Sequence, residues 1–139
     1  MIVVILFLGM ATFYVWRTNM TSNEGPELVT WGHDLAQARA EAAKTGKPML
    51  VYFTASWCGP CQMMKKTTWA DRAVADELAK HWIAVKIDVD DQPEVARRFN
   101  VNSVPHMQIF GSDGSPGAAK IAYVPAEEII PWLQQARVR

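Results

Sequence analysis

Met49 to Thr54, MLVYFT, is an almost unbroken apolar run of strand length. A strand with one face in water alternates apolar and polar residues, so a continuous run predicts a central strand buried on both faces. A chain of 139 residues has room for one domain and little more. It must therefore cover both sides of that strand with helices, and the flanking segments read that way. Leu28 to Trp31 is expected as a short edge strand. His33 to Thr45 reads as a helix, with Asp34 as N-cap and Gly46 and Pro48 as its stop. Helices are expected from Cys58 to Trp69 and from Asp71 to Lys80, then an Ile- and Val-rich strand from His81 to Val89. Pro93 to Phe99 reads as a short helix. Met107 to Phe110 and Lys120 to Tyr123 read as a hairpin around GSDGSPG. Glu127 to Arg137 reads as a closing helix that must accommodate Pro131. The expected class is α/β: a mixed central sheet flanked by helices.

The N-terminus is of another kind. Residues 1–16, MIVVILFLGMATFYVW, carry no charged side chain, and Arg17 is the first. As a helix they would reach about 24 Å, against a hydrocarbon core of about 30 Å. Trp16 and Arg17 suit an interface, and Thr18 to Ser22 can extend the span. A buried core helix would need a larger protein around it. A cleaved signal peptide remains open, but no Lys or Arg precedes the run and no clear cleavage site follows. The expected organisation is a membrane anchor or signal segment over 1–20, a linker over 21–27 and a domain over 28–139. The anchor is expected as an uncleaved N-terminal transmembrane helix in contact with the lipid bilayer. Arg17 alone would place the domain in the cytoplasm by the positive-inside rule. The chemistry of the next segment argues for the opposite side.

Composition removes several functions. Fourteen Lys and Arg balance fourteen Asp and Glu. Without a basic stripe there is no footing for nucleic acid. Two cysteines make neither a disulfide scaffold nor an all-cysteine zinc site.

Those two cysteines carry the chemistry. Trp57-Cys58-Gly59-Pro60-Cys61 follows the buried strand and opens a helix. A thiol at a helix N-terminus faces unpaired backbone N–H groups and the positive end of the dipole, which favour thiolate. Thiolate is the species that attacks a disulfide. Two intervening residues keep the second sulfur within one turn, and Pro60 suits the first turn because its missing N–H is not needed there. Cys58 is the expected nucleophile and the more exposed, more acidic thiol, and Cys61 the resolving one. Two other readings stay open: a copper-handling module that adds Met63 and Met64 as soft ligands, and an interaction domain whose dithiol is redox-inactive. The three histidines, His33, His81 and His106, lack ligand-like spacing, so no metal site is expected. Ser103-Val104-Pro105 precedes a strand; Pro105 is either a plain strand start or a cis-proline lying against the dithiol.

WCGPC after an apolar strand, with Val104-Pro105 before a later one, resembles the thioredoxin family over about residues 28–137. Val85-Lys86-Ile87-Asp88-Val89-Asp90, then Pro93, is similar in order and spacing to that family's strand and short helix. The W-x-x-D-L-x-x-A stretch and the Gly46-Lys47-Pro48 lead-in resemble a narrower set. These are the thioredoxin-like domains of secreted or membrane-bound proteins, among them the C-terminal domain of the bacterial transmembrane thiol:disulfide interchange reductase. The resemblance implies a thioredoxin-like fold in which Cys58 attacks substrate and Cys61 resolves the mixed disulfide. Trp57, Gly59 and Pro60 would shape the loop, and Val104 and a cis Pro105 would line the substrate groove. It implies a protein-disulfide reductase that needs no cofactor beyond its dithiol and acts on disulfide-containing proteins outside the cytoplasm. A membrane thiol carrier would donate its electrons, and its place would be the bacterial inner membrane, facing the periplasm or cell exterior. The sequence departs from the family at two places. Tyr52 stands where thioredoxins carry a buried aspartate, which leaves two readings of proton handling at Cys61: Tyr52 and Lys86 of the neighbouring strand take part in it, or Tyr52 is packing and Lys86 points to solvent. Ala122 or Tyr123 replaces a glycine near the groove.

Overall fold

The computed structural model describes residues 25–138. The expected anchor over 1–20 and the first part of the linker lie outside the described residues. Among those described, no helix is long and apolar enough to cross a membrane. Four strands form one sheet: β1 (Met49–Thr54), β2 (Ile83–Asp88), β3 (His106–Phe110) and β4 (Pro116–Ile121), in the order β2-β1-β3-β4. β1 runs parallel to β2 and antiparallel to β3, and β3 is antiparallel to β4. The helices are α1 (Leu35–Thr45), α2 (Gly59–Lys66), α3 (Arg72–His81), α4 (Pro93–Arg98) and α5 (Ala126–Arg137), with a 3-10 turn at Thr68–Ala70.

The unbroken apolar run of β1 is explained by two cores. Met49, Val51 and Phe53 join Ile83, Val85 and Ile87 of β2 and Leu35, Ala38 and Ala42 of α1 on one face. Leu50 and Tyr52 join Met107 and Ile109 of β3 on the other, against Met64, Trp69, Val74, Leu78, Ile129 and Leu133. β2 alternates buried and half-buried residues because only its Ile/Val face is covered completely. Lys86 lies on the other face, opposite Tyr52 in the register.

The helix ends follow local chemistry. The Asp34 carboxylate accepts the Gln37 N–H at 3.0 Å, and Gly46, at φ 73°, closes α1 in the left-handed region. Asp71 accepts from the Ala73 and Val74 amides and starts α3. Pro131 is inside α5, as its position required.

Four sequence expectations need correction. Leu28 to Trp31 is not a strand. The segment from Gly25 to Gly32 is a strap without regular structure, held by one parallel bridge from Gly32 to Val85. Its Leu28 and Val29 amides donate to the Trp69 carbonyl, so they cannot run along a strand partner. The docking begins at the last residues of the expected linker, where the Gly25 amide donates to the Lys66 carbonyl at 2.8 Å. The helix expected from Cys58 to Trp69 breaks at Thr67, because the buried Thr68 hydroxyl turns to the Val124 carbonyl at 2.6 Å. The second hairpin strand begins at Pro116 rather than Lys120: its small residues read as turn, yet they pair with β3.

Candidate active site

The loop after β1 brings Cys58 to the N-cap of α2, and the chain turns so that Cys61 lies one turn on. The two are joined as a disulfide with Cα atoms 5.2 Å apart. The Cys61 amide points at Cys58 Sγ, 3.2 Å away, so an unpaired helix N–H is directed at the expected nucleophile. Pro60 occupies the first turn. Gln62 reaches back, its amide nitrogen 3.3 Å from the Ser56 carbonyl, and steadies the loop. A side chain added at Gly59 would meet nothing within 4 Å, so the chain's own packing does not demand glycine there.

Both sulfurs are enclosed in the disulfide: Cys58 is 3% exposed and Cys61 1%. In this oxidised form Cys58 is only slightly the more exposed of the two, because Ala55, Val89 and Val104 pack around the pair. Val104 thus meets the dithiol although it is far away in sequence. The Val104–Pro105 bond is cis, and Pro105 is buried beside the start of β3. Trp57 projects to 70% exposure with its indole N–H donating to Asp90 at 2.8 Å. Asp88 accepts the amides of Asp90 and Asp91 and holds that turn in place. Ala122 has φ 79°, so of the two candidates for a missing glycine it is the one in glycine's conformation. The Tyr123 hydroxyl beside it meets Thr67 Oγ1 at 3.1 Å.

The structure brings Tyr52 and Lys86 to the inner side of Cys61. Tyr52 is buried between Trp31 and Trp69, with ring centroids 5.6 and 5.0 Å away. Its hydroxyl has no hydrogen-bond partner of good geometry. Burial pushes the phenol above its ordinary value, so it is a weaker proton donor and no base at neutral pH; Thr54 and Trp69 offset this in part, and Glu27 adds to it. Lys86 does not point freely to solvent. Its ammonium donates to both carboxylate oxygens of Glu27, at 2.7 and 2.8 Å, and sits 5.5 Å from the Trp31 ring centre. Sequence reasoning missed Glu27, which lies within a polar stretch read as linker, and Asp90, whose partner is 33 residues away. Of the two methionines offered as copper ligands, Met64 is fully buried in the core and Met63 is 45% exposed. Among the described residues, no three His, Cys, Asp or Glu side chains cluster as a metal site.

His106, next to Pro105, is 8% exposed and packs edge-on against Phe53. Burial lowers its affinity for a proton, and Gln108 offsets this in part. The unfolded chain then binds the proton more tightly than the folded one. The stability this contributes is complete above the ordinary value of 6.5 and is lost as the pH falls below it toward and through the folded-state value. Urea midpoints at pH 7.5, 6 and 5 should fall with acidification, and His106→Gln should flatten that dependence. A wild-type slope unchanged in His106→Gln would assign the loss to other groups.

A family described as thioredoxin-like matches residues 30–112. The bifunctional thioredoxin reductase/thioredoxin of Mycobacterium leprae is 37% identical over 95 residues, 68% of this chain and 20% of that protein. The thioredoxin of Mycobacterium tuberculosis is 40% identical over 81 residues, 58% of this chain and 66% of that protein. The chain thus spans a fifth of the first relative's length and slightly under two thirds of the second's. A solved structure described as "DsbH Oxidoreductase" superposes with a TM-score of 0.70 over 84% of this chain and 88% of its own, at 16% identity, a likeness of fold.

Proposed function

Since the chain belongs to the thioredoxin-like family, we propose that it is a thiol:disulfide oxidoreductase that reduces disulfides in other proteins through Cys58 and Cys61. The observation that carries this is the Cys58–Cys61 disulfide closed at the start of α2, with a helix amide aimed at Cys58 Sγ. In the reduced protein, the Cys58 thiolate attacks a substrate disulfide. One substrate sulfur leaves as a thiolate and the other is bound to Cys58. Cys61 loses its proton and attacks Cys58, the second substrate sulfur leaves, and the Cys58–Cys61 bond forms. Two electrons pass to the substrate, and a dithiol donor must return them. The exposed Trp57 and the Val104-Pro105 turn flank the dithiol where an extended substrate segment would lie.

The apolar run over residues 1–16 supports a place at a membrane, with the domain outside the cytoplasm and a membrane thiol carrier as electron donor. An insulin-reduction assay with dithiothreitol tests the activity. The protein should speed precipitation of the reduced chains well beyond dithiothreitol alone, and a rate equal to the donor's would sink the reading. An alkaline phosphatase fusion after Arg139 tests the location and should be active; activity only with a cytoplasmic reporter would reverse the topology.

A further inference from the structure

A cavity of about 200 Å³ lies on the inner side of Cys61. Its ionisable walls come from every element around it: Glu27 of the strap, Tyr52 of β1, Cys61 and Lys65 of α2, and Lys86 and Asp88 of β2. Asp88 is engaged by the amides of its own turn. Glu27 is not part of the sheet or of any helix. It arrives on the strap and accepts the Lys86 ammonium on both oxygens and the Trp31 indole N–H on one, at 2.6 Å. Its carboxylate is therefore committed to donors, while the cation it covers faces the same cavity as Cys61.

We propose that the strap tunes the dithiol: by neutralising Lys86, Glu27 sets how readily Cys61 gives up its proton and so the rate of the resolving step. Glu27 is a positioning residue, acting on Cys61 through Lys86. The inference rests on the oxidoreductase reading and concerns only its second step. An uncovered ammonium beside Cys61 favours the thiolate, and an unpaired carboxylate opposes it. The two partners of the pair therefore have opposite effects, which loss of packing would not produce. A shift of one unit changes the thiolate fraction about tenfold. Because a less basic thiolate is also less nucleophilic, about a threefold rate change remains at neutral pH.

Stopped-flow reaction of the reduced protein with 5,5′-dithiobis(2-nitrobenzoate) separates the steps, since Cys58 attack releases one aromatic thiolate and Cys61 attack releases the second. Glu27→Gln should leave the first phase within twofold of wild type. It should speed the second about threefold at neutral pH and move its pH midpoint down by about one unit. Lys86→Gln should slow the second phase by a similar factor and move the midpoint up. The double variant, neutral on both sides, should return to within twofold of wild type and guards against misfolding of either single one. Slower resolution in Glu27→Gln would overturn the proposal and make the carboxylate a base. Equal shifts in the same direction for both single variants, changes in the first phase as large as in the second, or no change at all would also overturn it. A wild-type protein that releases neither thiolate would instead refute the oxidoreductase reading.

Discussion

Cys61→Ala should turn the protein from a catalyst into a trap. Cys58 keeps its place at the N-cap of α2 with a helix amide aimed at its sulfur. The first exchange with a substrate disulfide should therefore proceed, but no second thiol remains to release the product. Multiple-turnover reduction of insulin should fall steeply, to no more than the rate at which the external dithiol can release the adduct. A mixed disulfide should accumulate, visible by mass spectrometry as the protein plus one substrate chain and released by dithiothreitol. Applied to an extract, the same variant would identify natural substrates. Cys58→Ser should be equally inactive and should trap nothing. If Cys58→Ser formed the adduct and Cys61→Ala did not, the two roles would have to be exchanged.

Trp69→Ala should be the most damaging change outside the dithiol. Trp69 is fully buried between Trp31 and Tyr52, and its carbonyl receives the Leu28 and Val29 amides of the strap. Truncating such a side chain costs about 3–5 kcal/mol through lost burial and the cavity left behind. That is much of the ~5–15 kcal/mol that holds a domain together. Urea unfolding should show the midpoint collapse. Trp69→Phe should be far milder, because it keeps most of the packing and removes an indole N–H that has no hydrogen-bond partner. Equal losses in the two variants would mean that the indole's shape, rather than its apolar bulk, is what the core requires.

The parts legible in the sequence were those whose cause is local. MLVYFT reads as a strand covered on both sides, and the structure places it second in the sheet with a core on each face. Asp34, Gly46 and Pro60 announce helix ends because their own backbones or side chains make the cap. Lys86 falls beside Tyr52 because strands alternate and β1 and β2 pair in parallel. What could not be read depends on distant partners. Among the described residues, Glu27 has its only charged partner in an ammonium 59 residues away. The strap looked like an edge strand because Leu28-Val29-Thr30-Trp31 has the right residues, but its amides are claimed by Trp69. The start of β4 is hard to read because Pro116 and Gly117 belong to a turn-like run and Ala118 and Ala119 add little strand propensity. β3 supplies the ladder, and the Gln108 side chain adds a bond to the Gly117 carbonyl at 2.8 Å.

β4 also decides how the protein behaves in a crowd. Among the described residues it is the last strand of the sheet, and an outer edge of this kind can recruit strands from other chains. Its opening residue is Pro116, which has no N–H to offer. The pairing with β3 slips register between Gln108 and Phe110, which interrupts the regular ladder a newcomer would copy. Gly117, Ala118 and Ala119 give an incoming strand little to grip, and Lys120 brings a charge to the end of the edge. The low strand propensity that hides the start of β4 in the sequence thus acts as a guard against fibrillar stacking. Replacing PGAAKI with residues that favour strands would make this segment easier to recognise and the protein harder to keep in solution.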